Sequence, residues 1–311
     1  MKKLISIFTP CYNEEENIEA IYSQVKSIMN KLDNYRYEHV FIDNCSKDQT
    51  INILKRIALQ DKNVKIILNA RNFGPVRSGY YGFTQCHGDA VVGLVADLQD
   101  PPNLIREFIA KWEEGYKIVI GVKPKSKENP IMFFVRKIFY TIISRISETE
   151  QVKNFTGFGL YDKEFVNVIR SIDDPYPYFR GMVSELGFER YEIPFVQPKR
   201  ELGKTHHTLY SLYDMAMQGI VNHSKLPLRL ASFIGFGVAC VNILVALGYF
   251  IYKLLFWNMF EVGIAPLVIG IFFFGGVQLF FLGIIGEYIG AIFIQVRKRP
   301  LVIEKERINF D

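Results

Sequence analysis

Short runs of apolar, mostly β-branched residues recur along the first 120 residues and predict β-strands. The runs occupy residues 4–8, 39–43, 64–68, 90–96 and 117–121. Between them, apolar side chains return every three or four positions, as on the buried face of a helix. The clearest example comprises Ile18, Ile21, Val25, Ile28, Met29 and Leu32. Ser46 and Gln49 have the spacing of a capping box before a helix over 51–58. Alternating strands and helices predict an α/β fold with a doubly wound, mostly parallel sheet.

Two much longer apolar stretches near the C-terminus predict membrane-spanning helices. Residues 230–252 and 262–285 contain no formally charged side chain over 23 and 24 positions. About 20 apolar residues suffice for a helix to cross the hydrocarbon core of a bilayer. The alternative is a pair of buried core helices, but globular helices seldom lack a polar face over such a length.

Basic residues flank these two stretches on their outer sides. Lys225 and Arg229 precede the first, and residues 297–299 follow the second, whereas the connection 253–261 carries one charge of each sign. The positive-inside rule places both outer flanks in the cytoplasm. The N-terminus lacks the apolar core of a signal peptide. We therefore expect an integral membrane protein with two spans, both termini cytoplasmic, in a bacterial inner membrane.

Two further stretches are amphipathic. Residues 131–146 and 209–220 each gather apolar side chains on one side, which favours helices lying at the membrane surface. For 131–146, packing against the core of the sheet domain is the alternative. The expected division is a cytoplasmic sheet domain at 1–205, an amphipathic juxtamembrane helix at 206–229, a transmembrane hairpin at 230–290 and a cytoplasmic tail at 291–311.

Composition and charge exclude several classes of protein. With 49% hydrophobic and 22% charged residues, the chain is not disordered. Its four cysteines are far apart and form no C-x-x-C pair, which argues against a zinc cluster or a disulfide framework. A net charge of +5 is too small to indicate a nucleic-acid partner, and we expect none.

Polar residues cluster directly after the first four predicted strands, in loops 10–17, 43–48, 71–74 and 97–102. Because the carboxyl ends of parallel strands meet at one edge of a sheet, these loops are expected to converge there. Taken singly, each loop also fits a simpler role, such as a helix cap or favourable charge at a helix N-terminus. A pyrophosphate bound in so acidic a place calls for a divalent cation. The oxygen ligands of Asp97 and Gln99 suit Mg²⁺ or Mn²⁺.

The same four loops, in this order, resemble family 2 glycosyltransferases of the GT-A fold. Their motifs are P-x-Y-N-E-x-x-N-I at 10–18, D-x-x-S-x-D-x-T at 43–50, R-N-F-G at 71–74 and A-D-L-Q-D-P-P at 96–102. More narrowly, the chain is similar to polyprenyl-phosphate glycosyltransferases, which are the dolichyl-phosphate mannose synthase group and bacterial relatives that glucosylate undecaprenyl phosphate. The narrower resemblance rests also on T-G-F-G-L-Y-D at 156–162, R-x-x-G-K-T at 200–205, G-E-Y-I-G at 286–290 and R-x-R-P at 297–300. It covers nearly the whole chain.

The resemblance implies roles for individual residues. The nucleoside of an NDP-sugar would be held by Pro10, Tyr12, Glu14 and Asp43. Arg71 would lie near the base, and Asp97 with Gln99 would bind Mg²⁺ or Mn²⁺ on the diphosphate. Arg200 and Lys204 would clamp phosphates in a loop that closes over two anions. The alternative for that loop is a solvated basic segment that meets anionic headgroups.

Two loops depart from the family pattern. Val95 stands where many relatives have the first aspartate of a D-x-D motif, so the metal would rely on Asp97, Gln99, phosphate oxygens and water. Many relatives also read D-D-G-S in the second loop, where this chain has Asn44 and Cys45 after Asp43. The second departure bears on the choice of nucleotide.

A third departure concerns the general base. Phe158 stands where some relatives carry an aspartate proposed for that role. A phosphate monoester has a second pKa near 6 and is largely dianionic at neutral pH, so it can attack without one. We hypothesise that Phe158 lines the acceptor site and that Asp100, Asp162 or Glu185 supplies hydrogen bonding near the reacting groups.

The implied activity is inverting transfer of one sugar, with UDP-glucose as first choice of donor, to undecaprenyl or dolichyl phosphate at the cytoplasmic membrane face. A processive polysaccharide synthase is the first alternative, but neither Trp112 nor Trp257 follows an arginine as in the Q-x-x-R-W element of those enzymes. A catalytically silent membrane scaffold is the second, motivated by Val95 and Phe158. Glycines within both spans favour self-association as a homo-oligomer.

Overall fold

A computed structural model of the protein describes residues 2–123, 152, 154–172, 174–175, 177–198, 226–256 and 264–310. The predicted amphipathic stretches, 131–146 and 209–220, lie outside the described residues, as do Arg200 and Lys204.

Strands and helices alternate in the first part of the chain, as the sequence predicts. The strands are β1 (Lys3–Cys11), β2 (Tyr35–Asp43), β3 (Val64–Asn69), β4 (Ala90–Gly93), β5 (Ile118–Val122), β6 (Phe155–Asp162), β7 (Arg190–Pro194) and β8 (Glu304–Ile308). The helices are α1 (Ile18–Met29), α2 (Thr50–Gln60), α3 (Pro75–Thr84), α4 (Ile105–Glu113), α5 (Lys163–Ser171), α6 (Phe179–Glu185), α7 (Leu226–Leu255) and α8 (Ile264–Arg297). A 3₁₀ turn, Pro102–Leu104, leads into α4.

All eight strands join one sheet in the order β7-β5-β6-β4-β1-β2-β3-β8. Strands β4, β1, β2 and β3 are mutually parallel, and β5 is parallel to β7. Strand β6 runs antiparallel to β4 and β5, and β8 runs antiparallel to β3. The predicted α/β class with a mostly parallel sheet is confirmed. The edge where β1 to β4 end, at Cys11, Asp43, Asn69 and Gly93, is called the carboxyl edge below.

Two apolar layers cover the two faces of this sheet. Helices α1, α2 and α4 pack on the face that presents Ile5 and Phe41, whereas α3 and α5 pack on the face that presents Phe8 and Ile42. Neighbouring residues of one strand, such as Phe41 and Ile42, thus belong to opposite apolar layers, because successive side chains of a strand point to opposite faces. Both faces are therefore buried, as a doubly wound sheet requires.

Helix α3 lies especially close to the sheet at Gly82. A Cβ atom added there would come within 2.6 Å of the Phe8 ring and 2.8 Å of the Ile42 side chain. The missing side chain is what permits this approach. Gly79, one turn earlier in the same helix, has open space around it.

Helices α7 and α8 match the two long apolar stretches. By length and composition, Leu226–Tyr252 and Phe273–Arg297 are candidate membrane spans, and no part of either apolar window is buried in the protein. Helix α8 ends at Arg297 rather than at the predicted residue 285. Its 34 residues correspond to about 51 Å, which exceeds the hydrocarbon thickness of a bilayer.

The C-terminal residues do not form a separate tail, which corrects the division of the chain made at residue 291. Residues 291–297 complete α8, and β8 then pairs with β3 through Asn69 opposite Glu304 and Ile66 opposite Ile308. The Ala70 amide donates to the Ile303 carbonyl at 2.9 Å. The sheet domain therefore includes residues from both ends of the chain.

Candidate active site

Each of the four loops at the carboxyl edge contains one residue in the left-handed region of φ. These residues are Asn13 (φ 53°), Cys45 (φ 66°), Gly74 (φ 85°) and Leu98 (φ 58°). Residues other than glycine seldom adopt this conformation, and such backbone strain concentrates at functional sites. The three non-glycine residues, Asn13, Cys45 and Leu98, thus carry backbone strain at the edge that the sequence motifs also single out.

The first two loops are fastened to each other by side chains. The Asn13 amide donates to Ser46 Oγ at 2.8 Å, and the Glu14 amide donates to Thr50 Oγ1 at 2.9 Å. Ser46 Oγ donates in turn to the Asp43 carboxylate. The two loops are consequently held together by hydrogen bonds.

The capping box predicted for Ser46 and Gln49 is wrong. Gln49 occupies the N-cap of α2, but no side chain there caps the helix. Asp48 Oδ1 instead accepts from the Thr50 amide at 3.0 Å, and Ser46 is used for the contact between loops. A tertiary partner has replaced the local one.

Asp43 is fully buried at the end of β2. Its carboxylate accepts from the Ser46 amide at 2.9 Å and from the Ser46 hydroxyl. Burial raises the pKa of Asp43 above its ordinary value, and the hydrogen bonds from Ser46 oppose that rise. This carboxylate organises the second loop, so its predicted influence on the nucleoside would pass through the loop and not through direct contact.

The other predicted nucleoside residues belong to the first loop. Pro10 lies in β1 opposite Ile42, and both Pro10 and Tyr12 are partly buried. Glu14 Oε2 accepts from Asn17 Nδ2 at 2.7 Å. All three residues lie at the carboxyl edge.

Arg71 lies in the third loop. Its guanidinium stacks on the Phe73 ring at 4.0 Å from the ring centroid, and its Nη1 donates to the Asn72 carbonyl at 3.0 Å. The side chain of Arg71 is exposed at the carboxyl edge, with its orientation set by the loop itself.

The predicted metal ligands lie in the fourth loop, and their chemistry fits a divalent cation. Asp97 and Gln99 are partly buried, and Asp97 Oδ1 accepts from the Gln99 amide at 3.1 Å. The described residues contain no group of three or more His, Cys, Asp or Glu side chains placed to hold a metal. Two hard oxygen donors suit a Mg²⁺ or Mn²⁺ ion that takes its remaining ligands from phosphate and water.

Asp100 is only 2% exposed, at the start of the turn before α4. Burial raises the pKa of its carboxyl to about 7, with a further rise from Asp97, whereas Lys123 and Arg180 oppose it. Lys123 follows β5, and Arg180 is the second residue of α6. These two cations near Asp100 were missed from the sequence, although Lys123 comes two residues after the predicted strand 117–121.

Asp162 does not join this site. It pairs with Ala90 at the beginning of β4, which is the opposite edge of the sheet. Its carboxylate accepts from Trp112 Nε1 at 2.7 Å and, as the N-cap of α5, from the Glu164 amide at 2.9 Å. The structure corrects the prediction that Asp162 acts near the reacting groups, because its side chain is a structural acceptor.

The hypothesis that Phe158 lines the acceptor site is also wrong. The side chain is 1% exposed and packs between the rings of Phe108 and Phe195, with centroid distances of 4.9 and 5.4 Å. Glu185 is exposed at the end of α6, and its role stays a prediction. The predicted roles of Arg200 and Lys204 concern residues outside the described part of the chain.

Comparison with known proteins gives a family and full-length relatives. The model of the family described as glycosyl transferase family 2 matches residues 6–170. An uncharacterised glycosyltransferase of Synechocystis sp. is 33% identical over 300 residues, which cover 96% of this chain and 94% of that protein. The SfII prophage-derived bactoprenol glucosyl transferase of Shigella flexneri is 33% identical over 303 residues, covering 97% of each chain. Among solved structures, mannosyl-3-phosphoglycerate synthase from Rubrobacter xylanophilus gives a TM-score of 0.49 at 13% identity, covering 70% of this chain and 71% of that chain.

Proposed function

The chain belongs to glycosyltransferase family 2, and on that premise we propose that it transfers a single sugar from an NDP-sugar to a polyprenyl phosphate. The observation that carries the acceptor class is the similarity to bactoprenol glucosyl transferases over 97% of both chains, the two apolar helices included. UDP-glucose is the proposed donor, and the cytoplasmic face of a bacterial inner membrane is the proposed place of reaction.

The donor would lie along the carboxyl edge. Pro10, Tyr12 and Glu14 would surround the nucleoside, and Arg71 would lie near its base. Asp97 and Gln99 would hold Mg²⁺ or Mn²⁺, which when bound neutralises the charge that develops on the leaving diphosphate.

The acceptor phosphate would need cations of its own. Lys123 and Arg180 lie close enough to Asp100 to lower its pKa, at the same edge as Asp97. Charge-assisted hydrogen bonds from such groups would orient an anion beside the donor diphosphate. Arg200 and Lys204 are proposed to complete this cationic side of the site.

The chemistry needs no obligatory base. A phosphate oxygen of the acceptor attacks the anomeric carbon as the bond from that carbon to the diphosphate oxygen breaks, and attack from the opposite face inverts the configuration. The acceptor carries no proton that must leave, because its second pKa lies near 6. Phe158 lies in the core and Asp162 at the opposite edge of the sheet, so neither is placed to act as a base.

The path of the C-terminus supports an acceptor anchored in a membrane. Only six residues, 298–303, separate the end of α8 from β8. Strand β8 begins beside Asn69 at the carboxyl edge, and seven Cα steps span at most about 25 Å. Gln295 of α8 also donates to Asp174 Oδ1 at 2.9 Å. A phosphate at headgroup depth would thus be close to the four loops.

The path of the C-terminal residues from α8 to β8 also bears on the membrane topology. The strand after α8 belongs to the sheet that the N-terminal strand also forms, so both termini would lie on one side of the bilayer if α7 and α8 cross it. The basic residues 297–299 support the cytoplasmic side. Self-association through the glycines of α7 and α8 stays a prediction; Gly235 and Gly276 have open space around them.

Membranes containing the protein, supplied with polyprenyl phosphate, Mg²⁺ or Mn²⁺ and a panel of radiolabelled NDP-sugars, test this function. The expected product is one butanol-extractable, mild-acid-labile lipid that carries a single sugar.

The variant Asp97→Asn is expected to lower turnover about 100-fold or more, because it removes the charged ligand of the metal. Asp33→Asn, an exposed carboxylate in the turn before β2, is the matched control and is expected to retain full activity.

Two outcomes would contradict the proposal. Polymer in place of the single-sugar lipid would indicate a processive synthase. Absence of transfer from every common NDP-sugar with either metal would indicate a catalytically silent protein.

A further inference from the structure

A network of side-chain amides joins the second loop to the third. Asn44, which is 5% exposed, donates from Nδ2 to Asn72 Oδ1 at 2.9 Å. Its Oδ1 accepts from the Phe73 amide at 2.9 Å and from Asn69 Nδ2 at 3.2 Å. Asn44 therefore serves as a donor to one residue of the third loop and as an acceptor from the next.

The direction of these hydrogen bonds requires an amide at position 44. Asn72 Oδ1 accepts a second hydrogen bond from the Gly74 amide at 2.8 Å. An aspartate at position 44 could not donate, so it would place a carboxylate against Asn72 Oδ1. Rotating the Asn72 amide by half a turn would relieve that contact, but it would set the Asn72 NH₂ group against the Gly74 N–H. Either arrangement breaks a hydrogen bond that the native network makes.

The network is anchored below by Asn69. This residue, 2% exposed, also donates from Nδ2 to Ser78 Oγ at 2.9 Å, at the start of α3. Its Oδ1 is buried without a hydrogen-bond partner in the part of the chain that the structure describes. Buried hydrogen-bond acceptors normally have a partner, and leaving one without a partner costs stability. A requirement to hold Asn69 in this position beside the candidate site would explain that cost.

What the network holds in place is the stack of Arg71 on Phe73. The Phe73 backbone is fixed by Asn44, and the Arg71 side chain is fixed by the Phe73 ring and the Asn72 carbonyl. Phe73 is partly buried and Arg71 is exposed, so the pair presents a flat, cationic surface at the carboxyl edge. Such surfaces accept the π-face or the polar edge of a nucleobase.

We propose that Asn44 is a positioning residue that fixes the Arg71–Phe73 stack as the base platform of the donor site and thereby sets the preference for one nucleobase. The proposal rests on the proposed function, since it assumes a nucleoside diphosphate donor. Asn44 is proposed to act through the third loop, because it is 5% exposed and both its Nδ2 and its Oδ1 already bond to residues of that loop.

Dissociation constants of the full-length protein in detergent test this inference. The probes are UDP, GDP and dTDP, each with Mn²⁺, and pyrophosphate with Mn²⁺, which reports on the metal and phosphate part alone. Asn44→Asp is expected to weaken binding of the preferred nucleotide about tenfold and to reduce its advantage over the other two to about threefold or less. Pyrophosphate binding, measured well below the thermal midpoint that the broken hydrogen bond lowers, is expected to change little. In the transfer assay, KM for the donor should rise with kcat nearly constant.

Two further variants separate the effect of hydrogen-bond direction from the effect of the added negative charge. Asn72→Asp adds the same charge at the neighbouring position, but its carboxylate can still accept from Asn44 and from the Gly74 amide, so its effect should be clearly smaller than that of Asn44→Asp. Asn52→Asp adds the charge on the exposed side of α2, where Asn52 donates to Gln49, and should bind every probe as the native protein does.

Three results would overturn the inference alone. These are an unchanged nucleotide preference in Asn44→Asp, an equal loss of pyrophosphate and all nucleotides in that variant, and an equal effect of Asn44→Asp and Asn72→Asp. A native protein that binds pyrophosphate but none of the nucleotides would instead refute the proposed function together with the inference.

Discussion

Carboxyl groups that look alike in the sequence have different surroundings in this protein. Asp100 is buried at the carboxyl edge beside Asp97, and its pKa is raised to about 7. Asp162 lies at the opposite edge, where Trp112 and the first turn of α5 donate to it. The first can influence bound phosphates, whereas the second stabilises the junction of β6 with α5.

Asp162 should therefore matter for stability and not for turnover. Asp162→Ala removes an N-cap acceptor and leaves Trp112 Nε1 without its partner, so the free energy of unfolding should fall by about 1–3 kcal/mol. Chemical denaturation measures this loss. Asp162→Asn, whose single amide oxygen can keep one of the two hydrogen bonds, is the matched control and should lose less. If Asp162→Ala kept its stability but lost kcat, Asp162 would be a catalytic carboxylate after all.

His39 predicts how stability depends on pH. It is fully buried in β2, Thr9 Oγ1 lies 3.0 Å from its Nε2, and burial lowers its pKa to about 3. Between pH 6.5 and 3 the unfolded chain binds a proton that the folded protein does not. This group therefore makes the protein less stable as pH falls, by about 2 kcal/mol at pH 5.

Thermal midpoints at pH 7.5 and pH 5 measure the contribution of His39. His39→Gln keeps a group that can bond to Thr9 but does not titrate, so the difference between the two midpoints should shrink. His87→Gln, at a histidine that is exposed, is the control and should reduce the difference less. An unchanged difference in His39→Gln would show that His39 is protonated in the folded protein.

At the scale of elements, helix α3 links the site to the core. Its first turn carries Ser78, to which Asn69 donates, and its middle packs on β1 and β2 through Gly82. The Phe83 ring packs edge-on against Phe8 and Tyr161 on the same face. The position of the third loop thus depends on how closely this helix approaches the sheet.

Two alanine substitutions on α3 should have opposite effects. Gly82→Ala places a methyl group against Phe8 and Ile42 and should destabilise the protein by about 1–3 kcal/mol through overpacking. Gly79→Ala enters open space on the same helix and should stabilise it by about 0.5–1 kcal/mol. Urea denaturation of both variants measures this contrast. Similar losses in the two variants would contradict the open space around Gly79.

At the scale of the whole molecule, the C-terminal segment joins the apolar helices to the sheet. Residues 298–303 connect α8 with β8, and β8 is held by the pairing with β3 and by an ion pair of Glu306 with Lys55 at 2.6 Å. Tyr81 of α3 donates to Glu304 at 2.9 Å. Because this connection is short, it limits how far the carboxyl edge can move from the end of α8.

Lengthening this connection should weaken transfer to a lipid without harming the site. Eight Gly and Ser residues inserted between Arg299 and Pro300 would extend its reach by up to about 28 Å. We expect the KM for a long-chain polyprenyl phosphate to rise about tenfold, because the effective concentration of a tethered site falls as its linker lengthens. Nucleotide binding should stay constant.

The same insertion between Asp33 and Asn34, in the exposed turn before β2, is the control and should leave transfer to the lipid unchanged. Native transfer by the lengthened C-terminal connection would show that its length does not set the distance to the membrane.

The sequence by itself determined the alternation of strands and helices, the two long apolar helices and the four polar loops at the carboxyl edge. These features follow from local patterns: a period of two or of three to four residues, uncharged runs of sufficient length, and polar residues at strand ends. The family also follows from motifs that are contiguous in the chain. The prediction of Asp97 and Gln99 as metal ligands rests on such a contiguous motif.

Only the tertiary structure decided which residues meet across the sheet. Asp162 and Phe158 belong to a motif of the family, yet the antiparallel direction of β6 places Asp162 at the far edge, and the packing of α4 encloses Phe158 in the core. Strand β8 pairs with β3 more than 200 positions away, and Lys123 and Arg180 reach Asp100 from separate elements. Such contacts depend on the order and direction of strands, which local periodicity does not specify.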